Sequence, residues 1–413
     1  MERVELLAPA GDMDKLKTAL HFGADAVYIG GSCFSLRANA KNFDREQLKE
    51  AVEYTHERGK KIYVAANVFA FNSDFPALEE YFRMLESTGV DAVIISDAGV
   101  LALCKQVAPN LEIHLSTQAN TTNKYAAKFW AEQGVKRVVL ARETSMSDIR
   151  EIRDYLPADV EIEAFVHGAM CIAYSGRCLL SNALTGRSSN RGDCVQACRW
   201  EFAIVEKNRG GIPLTIGEEE RGTYLLNSKD LNMIEHIGEL IESGVTSFKV
   251  EGRMKSPYYV ASVINAYRKA IDLYYECKKD GKEYVLPKYI ADELFKNSHR
   301  AYTTGFYYGE KDNVCLDTSQ PACDYDFIAR VKGYDKDKKM LAVEMRNRFR
   351  KGDVLEVLSP DDRYFDKNLR IDVMYDEDMV EVEDAKRVQQ ILYVPTDFEL
   401  SEGDILRKKQ NNQ

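Results

Sequence analysis

Ser247-Phe-Lys-Val-Glu-Gly252 is the last of eight short β-rich segments that alternate with amphipathic helix patterns in the first 255 residues. The other seven predicted strands are Val4–Ala8, Ala26–Gly30, Lys61–Asn67, Ala92–Ser96, Glu112–Thr117, Arg137–Ala141 and Glu161–His167. Strands that alternate with helices predict parallel βαβ units. Because there are eight of them, we expect an α/β fold with a closed, TIM-like (β/α)₈ barrel rather than an open doubly wound sheet.

The last gap between predicted strands is much longer than the others. It separates Glu161 from Ser247 and contains four of the nine cysteines. This predicts a cysteine-rich insertion after strand seven, at the end of the barrel where the βα loops meet and barrel enzymes have their active sites.

The pattern changes near Asp326 to short alternating strands separated by turns, which predicts a small all-β barrel. We therefore expect a barrel domain at 1–300 with the cysteine loop at about 168–200, a linker at 301–325, and a C-terminal β-barrel domain at 326–413.

Composition limits the cellular setting. The 413 residues contain no apolar run of the ~18 residues that a membrane span needs, and the acidic start is not typical of a signal peptide. We expect a cytoplasmic protein whose cysteines stay reduced. The net charge of −10 argues against a protein covered in nucleic acid, but it permits a local basic patch.

The four clustered cysteines are Cys171, Cys178, Cys194 and Cys198. Thiolates are soft ligands that suit iron–sulfur clusters, zinc or copper(I). A structural zinc site usually has two tight cysteine pairs, and only the last pair here is close to that spacing. Irregular spacing on glycine-rich loops is more typical of an iron–sulfur cubane, whose four corners each take one thiolate.

Two other interpretations of the cysteines remain open. Buried core cysteines are common, but they do not normally concentrate in a polar loop with several arginines. A catalytic thiol with His167 as its base would explain one cysteine and leave the other three without a role.

The run Glu163-Ala-Phe-Val-His-Gly-Ala-Met-Cys171-Ile-Ala-Tyr-Ser-Gly-Arg-Cys178 resembles the signature of the U-32 peptidase family, the collagenase-like proteases. His114-Leu-Ser-Thr-Gln118-Ala-Asn120 and Lys249-Val-Glu-Gly-Arg253-Met-Lys-Ser256 are similar to the same family, and the likeness extends over nearly the whole chain. Within the family, Cys194-Val-Gln-Ala-Cys198 and Asn227-Ser-Lys-Asp-Leu231 most resemble the prephenate-dependent tRNA hydroxylation proteins.

The resemblance implies an enzyme that makes 5-hydroxyuridine at the tRNA wobble position, with a 4Fe-4S cluster and prephenate as co-substrate. Some relatives place a cysteine directly after Lys-Asp-Leu231. This chain has Asn232 there, so Cys198 is taken as the fourth cluster ligand beside Cys171, Cys178 and Cys194. The expected partners are tRNA and a paralogous family member, but neither DNA nor a membrane. A peptidase and a non-catalytic iron–sulfur adaptor are the alternatives.

Charged residues near the predicted strand ends are candidates for the site. Side-chain alternation groups Lys249, Glu251 and Arg253 on one face of strand eight, and Glu161, Glu163, Phe165 and His167 on one face of strand seven. A buried Glu–Lys or Glu–Arg network is one interpretation, and a substrate site is the other. For the second, we expect His167 and Glu251 to be catalytic, and Arg253 to bind a substrate carboxylate.

Three further residues are expected to bind substrate. Arg37 follows strand two and offers a second guanidinium, and His114 and Gln118 share a face of strand five and its exit.

The segment Arg330–Lys351 contains nine Lys or Arg against three Asp or Glu. Because the chain as a whole is acidic, this contrast predicts contact with RNA phosphates, with Lys336, Lys338 and Lys339 as candidates. The alternative is an ordinary solvated face.

Overall fold

Eight parallel strands close into a barrel in the first part of the chain. The computed structural model describes residues 3–36, 41–200, 228–309 and 321–410, and the backbone alone at 204–205 and 213–214. The strands are β1 (Glu5–Pro9), β2 (Ala26–Gly30), β3 (Lys61–Ala65), β4 (Ala92–Ile95), β5 (Glu112–Leu115), β6 (Arg137–Val139), β7 (Glu161–Ala169), β8 (Ile204–Val205), β9 (Pro213–Leu214), β10 (Asp230–Asn232), β11 (Ser247–Val250), β12 (Tyr302–Thr303), β13 (Tyr325–Asp335), β14 (Met340–Met345), β15 (Phe349–Arg350), β16 (Val354–Leu358), β17 (Asn368–Arg370), β18 (Asp384–Ala385), β19 (Ile391–Pro395) and β20 (Ile405–Lys409).

The barrel consists of β1 to β7 in sequence order, followed by β11. Strand β11 pairs in parallel with both β7 and β1, and these two pairings close the barrel. The predicted (β/α)₈ fold is therefore confirmed.

Helices surround the barrel and cover its apolar outer face. They are α1 (Met13–His21), α2 (Arg45–His56), α3 (Phe75–Thr88), α4 (Ala98–Val107), α5 (Lys124–Glu132), α6 (Met146–Tyr155), α7 (Leu180–Thr185), α8 (Ile237–Glu242), α9 (Pro257–Asp280) and α10 (Lys288–Glu293). Side chains at the ends of several barrel strands begin these helices: the Asp12 carboxylate accepts from Lys15 N at 3.0 Å, and Ser256 Oγ accepts from Tyr259 N at 3.2 Å. None of the helices within the described ranges is long and apolar enough to cross a membrane.

The predicted insertion after strand seven is also confirmed. The chain leaves β7, forms the short helix α7 among the cysteines, and returns through β10, which pairs antiparallel with the end of β7. Strand β12 then adds to β10 in parallel, so the segment beyond α10 contributes to the same sheet.

The C-terminal domain is all β, as predicted. Its main sheet has six strands in the order β17, β16, β20, β13, β14, β19, and all of their pairings are antiparallel. The sheet encloses a separate apolar core that includes Val331, Leu341, Val357 and Leu406.

A buried ion pair joins the two domains. Arg407 on β20 has no exposed surface, and its Nη2 donates to Glu293 Oε2 of α10 at 2.7 Å. Its Nε also donates to Glu356 Oε1 at 2.9 Å. Burial would raise the pKa of the Glu356 carboxyl, but the charges of Arg407 and Lys296 outweigh it and lower that pKa to about 2.

Replacing Arg407 with Met should therefore destabilise the protein strongly. It would leave Glu293 as a buried carboxylate without its guanidinium, a loss of about 3–5 kcal/mol in comparable pairs. Urea unfolding followed by circular dichroism measures the change. Arg363→Met removes an arginine that pairs with Asp361 on the exposed surface and should hardly move the midpoint. A loss for Arg407→Met no larger than for this control would contradict a stabilising role for the buried pair.

Candidate functional site

A cavity of about 420 Å³ lies at the carboxyl end of the barrel strands. Tyr28, Ile94, Phe165 and Lys249 form its floor within the barrel, and residues 169–199 of the insertion form the opposite wall. This is the end of the fold at which barrel enzymes bind their substrates.

All four clustered cysteines line this cavity, as the sequence predicted for a common site. Cys171 follows β7, Cys178 precedes α7, and Cys194 and Cys198 lie in the turns after it. Backbone N–H groups donate to two of the sulfurs, from Leu180 to Cys178 Sγ and from Gln196 to Cys194 Sγ, each at 3.3 Å.

The four thiols share the lining of the cavity. Burial raises the pKa of the Cys198 thiol, and the nearby Cys171 raises it further. Within the described ranges, however, no three His, Cys, Asp or Glu side chains are close enough to hold a single metal ion. The zinc interpretation therefore gains no support, and the identity of a bound group remains a prediction.

Six cationic side chains line the cavity, and among its described lining residues only Glu251 carries a carboxylate. The cations are Arg142, Arg199, Lys249, Arg253, Lys255 and Arg300. Burial lowers the pKa of Lys255 and of Arg199, which shows how far these groups are removed from water. The cavity is therefore suited to anionic groups.

Glu251 lies in the cavity and is held by a guanidinium. Arg142 Nη2 is 3.3 Å from Glu251 Oε2, and the Arg142 guanidinium is centred 4.1 Å from the Phe165 ring. The structure thus brings the predicted catalytic Glu251 to the site, together with an arginine that the sequence analysis did not select.

A ladder of buried charges crosses the barrel interior below the cavity. Lys249 Nζ donates to Glu163 Oε1 at 2.7 Å, and Arg137 contacts both Glu163 at 3.2 Å and Glu5 at 2.6 Å. Burial would raise the pKa of Glu5, but Arg137 outweighs it and lowers that pKa. These contacts match the predicted buried Glu–Lys and Glu–Arg network, and they place the Lys249 ammonium at the cavity floor.

Arg253 lines the cavity but also braces its wall. Its Nη1 donates to Ser35 Oγ at 2.7 Å, and its Nη2 donates to the Leu36 carbonyl. In this arrangement, the guanidinium fixes the loop after β2. Arg37, the other arginine predicted to bind substrate, lies outside the described residues.

Gln118 and His114 occupy different places, although the sequence grouped them. Gln118 lines the cavity. His114 does not, because its ring lies deeper in the barrel, 4.7 Å from the Tyr63 ring, with Nε2 2.9 Å from Glu112 Oε1. Burial, followed by the charge of Arg137, holds the pKa of His114 well below its usual value. The structure thus places His114 outside the cavity lining, and its contact with substrate stays a prediction.

His167 also lies outside the cavity. The β7–β11 register shifts by one residue, so that Lys249 pairs with Phe165 while Val250 pairs with His167. This bulge turns His167 away from the inner face and towards α9, where its ring lies 5.6 Å from that of Tyr267. Burial lowers the pKa of His167 to about 3. The expectation that His167 shares the inner face with Phe165 is therefore wrong, while its role as catalyst stays a prediction.

The cations of the basic segment of the C-terminal domain pair with carboxylates, three of them with Asp335 or Glu344 of the same segment and six with residues outside it. All nine of its cations lie within ion-pair distance of an acidic side chain. The pairs are Arg330–Asp14, Lys332–Glu344, Lys336–Glu399, Lys338–Asp335, Lys339–Asp397, Arg346–Glu344, Arg348–Asp384, Arg350–Asp384 and Lys351–Glu381.

The local charge excess behind the predicted RNA contacts of Lys336, Lys338 and Lys339 is therefore largely cancelled. Nor does any described residue from 325 onwards line the cavity.

The sequence analysis missed three cavity cations, Arg142, Lys255 and Arg300. Arg142 directly follows the sixth predicted strand, and Lys255 lies in the Lys249–Ser256 motif, so position after a strand could have indicated both. Arg300 comes to the cavity through β12 and its contact with Asp230, at 3.4 Å, for which the sequence contains no local signal.

Fold and site together define a (β/α)₈ barrel protein with a cysteine-lined, cationic cavity at its catalytic end. The chain matches the family model of peptidase family U32 over residues 11–315, and that of the peptidase family U32 C-terminal domain over residues 323–407. It therefore belongs to peptidase family U32, which confirms the resemblance seen in the sequence.

Relatives in this family are named for different activities. The chain is 43% identical over 409 residues to tRNA hydroxylation protein P1 of Bacillus subtilis, covering 98% of this chain and 95% of that protein. It is 38% identical over 315 residues to a 23S rRNA 5-hydroxycytidine synthase of Escherichia coli, covering 76% and 46%. It is 32% identical over 317 residues to a collagenase of Porphyromonas gingivalis, covering 74% of each.

Replacing Lys336, Lys338 and Lys339 with Ala should leave tRNA affinity within about twofold of the wild type and its salt dependence unchanged. Their charges are already balanced by carboxylates, so they release few counterions on binding RNA. Filter binding across a salt series measures both quantities. A flatter slope of log affinity against log salt would show that these lysines neutralise phosphates after all.

Proposed function

We propose that this protein hydroxylates carbon 5 of the tRNA wobble uridine, in a prephenate-dependent reaction, with a 4Fe-4S cluster held by Cys171, Cys178, Cys194 and Cys198. The main observation behind the proposal is that four thiols and six cationic side chains line one cavity, at the carboxyl end of the barrel strands. The relatives that modify RNA support the choice of substrate.

The donor set suits an iron–sulfur cubane better than a single ion. Each thiolate of a cubane binds a different iron, so the four sulfurs surround a volume and do not meet at a point. The four cysteines line one cavity, and among the described residues no three His, Cys, Asp or Glu side chains form a group that could hold a single metal ion. A cluster of this kind supplies electron transfer when bound.

The cationic side chains would bind the anionic reactants. Prephenate carries two carboxylates, which match arginine forks and ammonium groups. Arg142, Lys255 and Arg300 lie in the cavity and are the candidates for this contact. Replacing the C5 hydrogen with a hydroxyl group removes two electrons from the base. The reaction therefore needs an oxygen source and an electron acceptor besides the RNA.

The peptidase alternative rests on the collagenase relative. The suggested Cys–His catalytic pair is not formed, because none of the six histidines lines the cavity that contains the thiols. A cation-rich cavity also has no evident use in hydrolysing a neutral peptide bond. The geometry therefore favours RNA hydroxylation.

Mass spectrometry of wobble nucleosides tests the function directly. A strain that lacks the gene should lose 5-hydroxyuridine, and the wild-type gene should restore it. In a cell without a second pathway, an unchanged level would contradict the proposal. Purified protein with tRNA, prephenate and a chemical electron acceptor in aqueous buffer separates an enzyme from an adaptor, because only an enzyme forms the product without a further family member.

The cluster can be tested separately. Protein purified without oxygen should be brown and contain about four iron and four sulfide per chain. Cys194→Ser should abolish the colour, whereas Cys277→Ser should not, because Cys277 lies on α9 and not among the cavity-lining residues. One zinc per chain and no visible absorbance would contradict the proposal.

A further inference from the structure

Gln118 has an unusual environment for a buried amide. It lies just beyond β5, lines the cavity, and is only 2% exposed. Its backbone is anchored on both sides: the N–H donates to Ser116 Oγ at 3.3 Å, and the carbonyl accepts from Arg177 Nε at 2.8 Å. Its side-chain Oε1 and Nε2, however, have no hydrogen-bond partner within the described part of the chain.

Unpaired buried amides are rare because they give up water without gaining another partner. In Gln118, both the amide donor and the amide acceptor are unpaired, while the backbone of the residue is held by hydrogen bonds. The side chain is therefore placed where an incoming group with a matching acceptor and donor would satisfy it.

We infer that the Gln118 carboxamide pairs with the Watson–Crick edge of a pyrimidine base that is turned out of the RNA into the cavity. The inference rests on the proposed function and names the residue that holds its substrate base. With uridine, Oε1 would accept from N3–H while Nε2 donates to a neighbouring carbonyl oxygen of the base. Reading of this edge is common where proteins bind unstacked RNA bases.

The surroundings of Gln118 match a base and not an anion. The positive charge of the cavity cations suits carboxylates and phosphates, whereas the carboxamide is neutral and offers one donor beside one acceptor. The volume of about 420 Å³ lies within the ~300–1,000 Å³ typical of small-ligand sites. Contact through N3 also leaves the C5–H bond of the base free to react.

The same geometry suits both the uridine of the proposed function and the cytidine named by the rRNA-modifying relative. If the amide rotates by half a turn, Nε2 can donate to N3 of cytidine while Oε1 accepts from its amino group. Gln118 therefore selects the pyrimidine edge, and the choice between uridine and cytidine depends on other contacts.

A double-mutant cycle between protein and RNA tests this pairing. The cluster-loaded protein is given anticodon stem-loops that carry uridine or N3-methyluridine at the wobble position, with wild-type Gln118 or Gln118→Leu. Each single change should lower kcat/KM by about 10–100-fold, the range for losing one good bidentate base contact. Because both changes remove the same pair, the double change should cost little more than either alone.

Matched controls identify what a failure would mean. Gln133→Leu removes an exposed carboxamide at the end of α5 and should behave as wild type with both RNAs. Iron content and melting temperature should be equal in all variants. Losses that multiply in the double change, or a Gln118→Leu protein as active as wild type, would overturn the pairing.

Binding measured by fluorescence anisotropy keeps the inference testable without turnover. If wild-type protein hydroxylates neither RNA, the proposed function fails. The same cycle in dissociation constants still decides whether Gln118 contacts N3. If the wild type binds the uridine and N3-methyluridine stem-loops equally well, this result alone would overturn the contact between Gln118 and N3.

Discussion

The buried ion pairs of the barrel interior are the constraint on which the site depends. A carboxylate such as Glu163, which has no exposed surface, is stable as an anion only with a positive partner at hydrogen-bond distance. Arg137 and Lys249 provide two such partners, from β6 and β11. The strands that close the barrel are therefore tied together by charge as well as by backbone hydrogen bonds. The ladder ends at the cavity floor, where it presents an ammonium group.

The barrel could be predicted from the sequence because its signals are local. Alternation of apolar strands with amphipathic helices repeats eight times, and each unit can be identified alone. The same rule failed at one point on β7. Alternation puts Phe165 and His167 on one face, but the bulge between them shifts the register by one residue and moves the histidine to the other face. A bulge depends on how two strands fit together, and neither strand shows it alone.

Charge was harder to predict than topology for the same reason. The segment Arg330–Lys351 looked basic because its counter-ions are distant in sequence, such as Asp397 for Lys339 and Asp384 for Arg348. Arg300 is the converse case. Nothing in the sequence around it indicates a site, yet the pairing of β12 with β10 brings it to the cavity. The net charge of a sequence segment therefore predicts the charge of the surface it forms only where the ion-pair partners are close in sequence. The cysteines could be predicted as a site because four of them in a short stretch of sequence are unusual, and this signal does not depend on how the chain folds.

Polar contacts also hold the cysteine segment over the barrel. Arg191 pairs with Asp74 after β3, at 2.8 Å, and Arg177 donates to the carbonyl of Gln118 after β5. Ser175, in a left-handed conformation, donates its N–H to Glu143 after β6 at 2.6 Å. The floor of the cavity is thus set by buried ion pairs, and its opposite wall by an ion pair and hydrogen bonds to the barrel loops that follow β3, β5 and β6. Single polar substitutions in the wall can therefore alter the shape of the site while the barrel stays folded, whereas breaking a buried pair of the floor would destabilise the barrel itself.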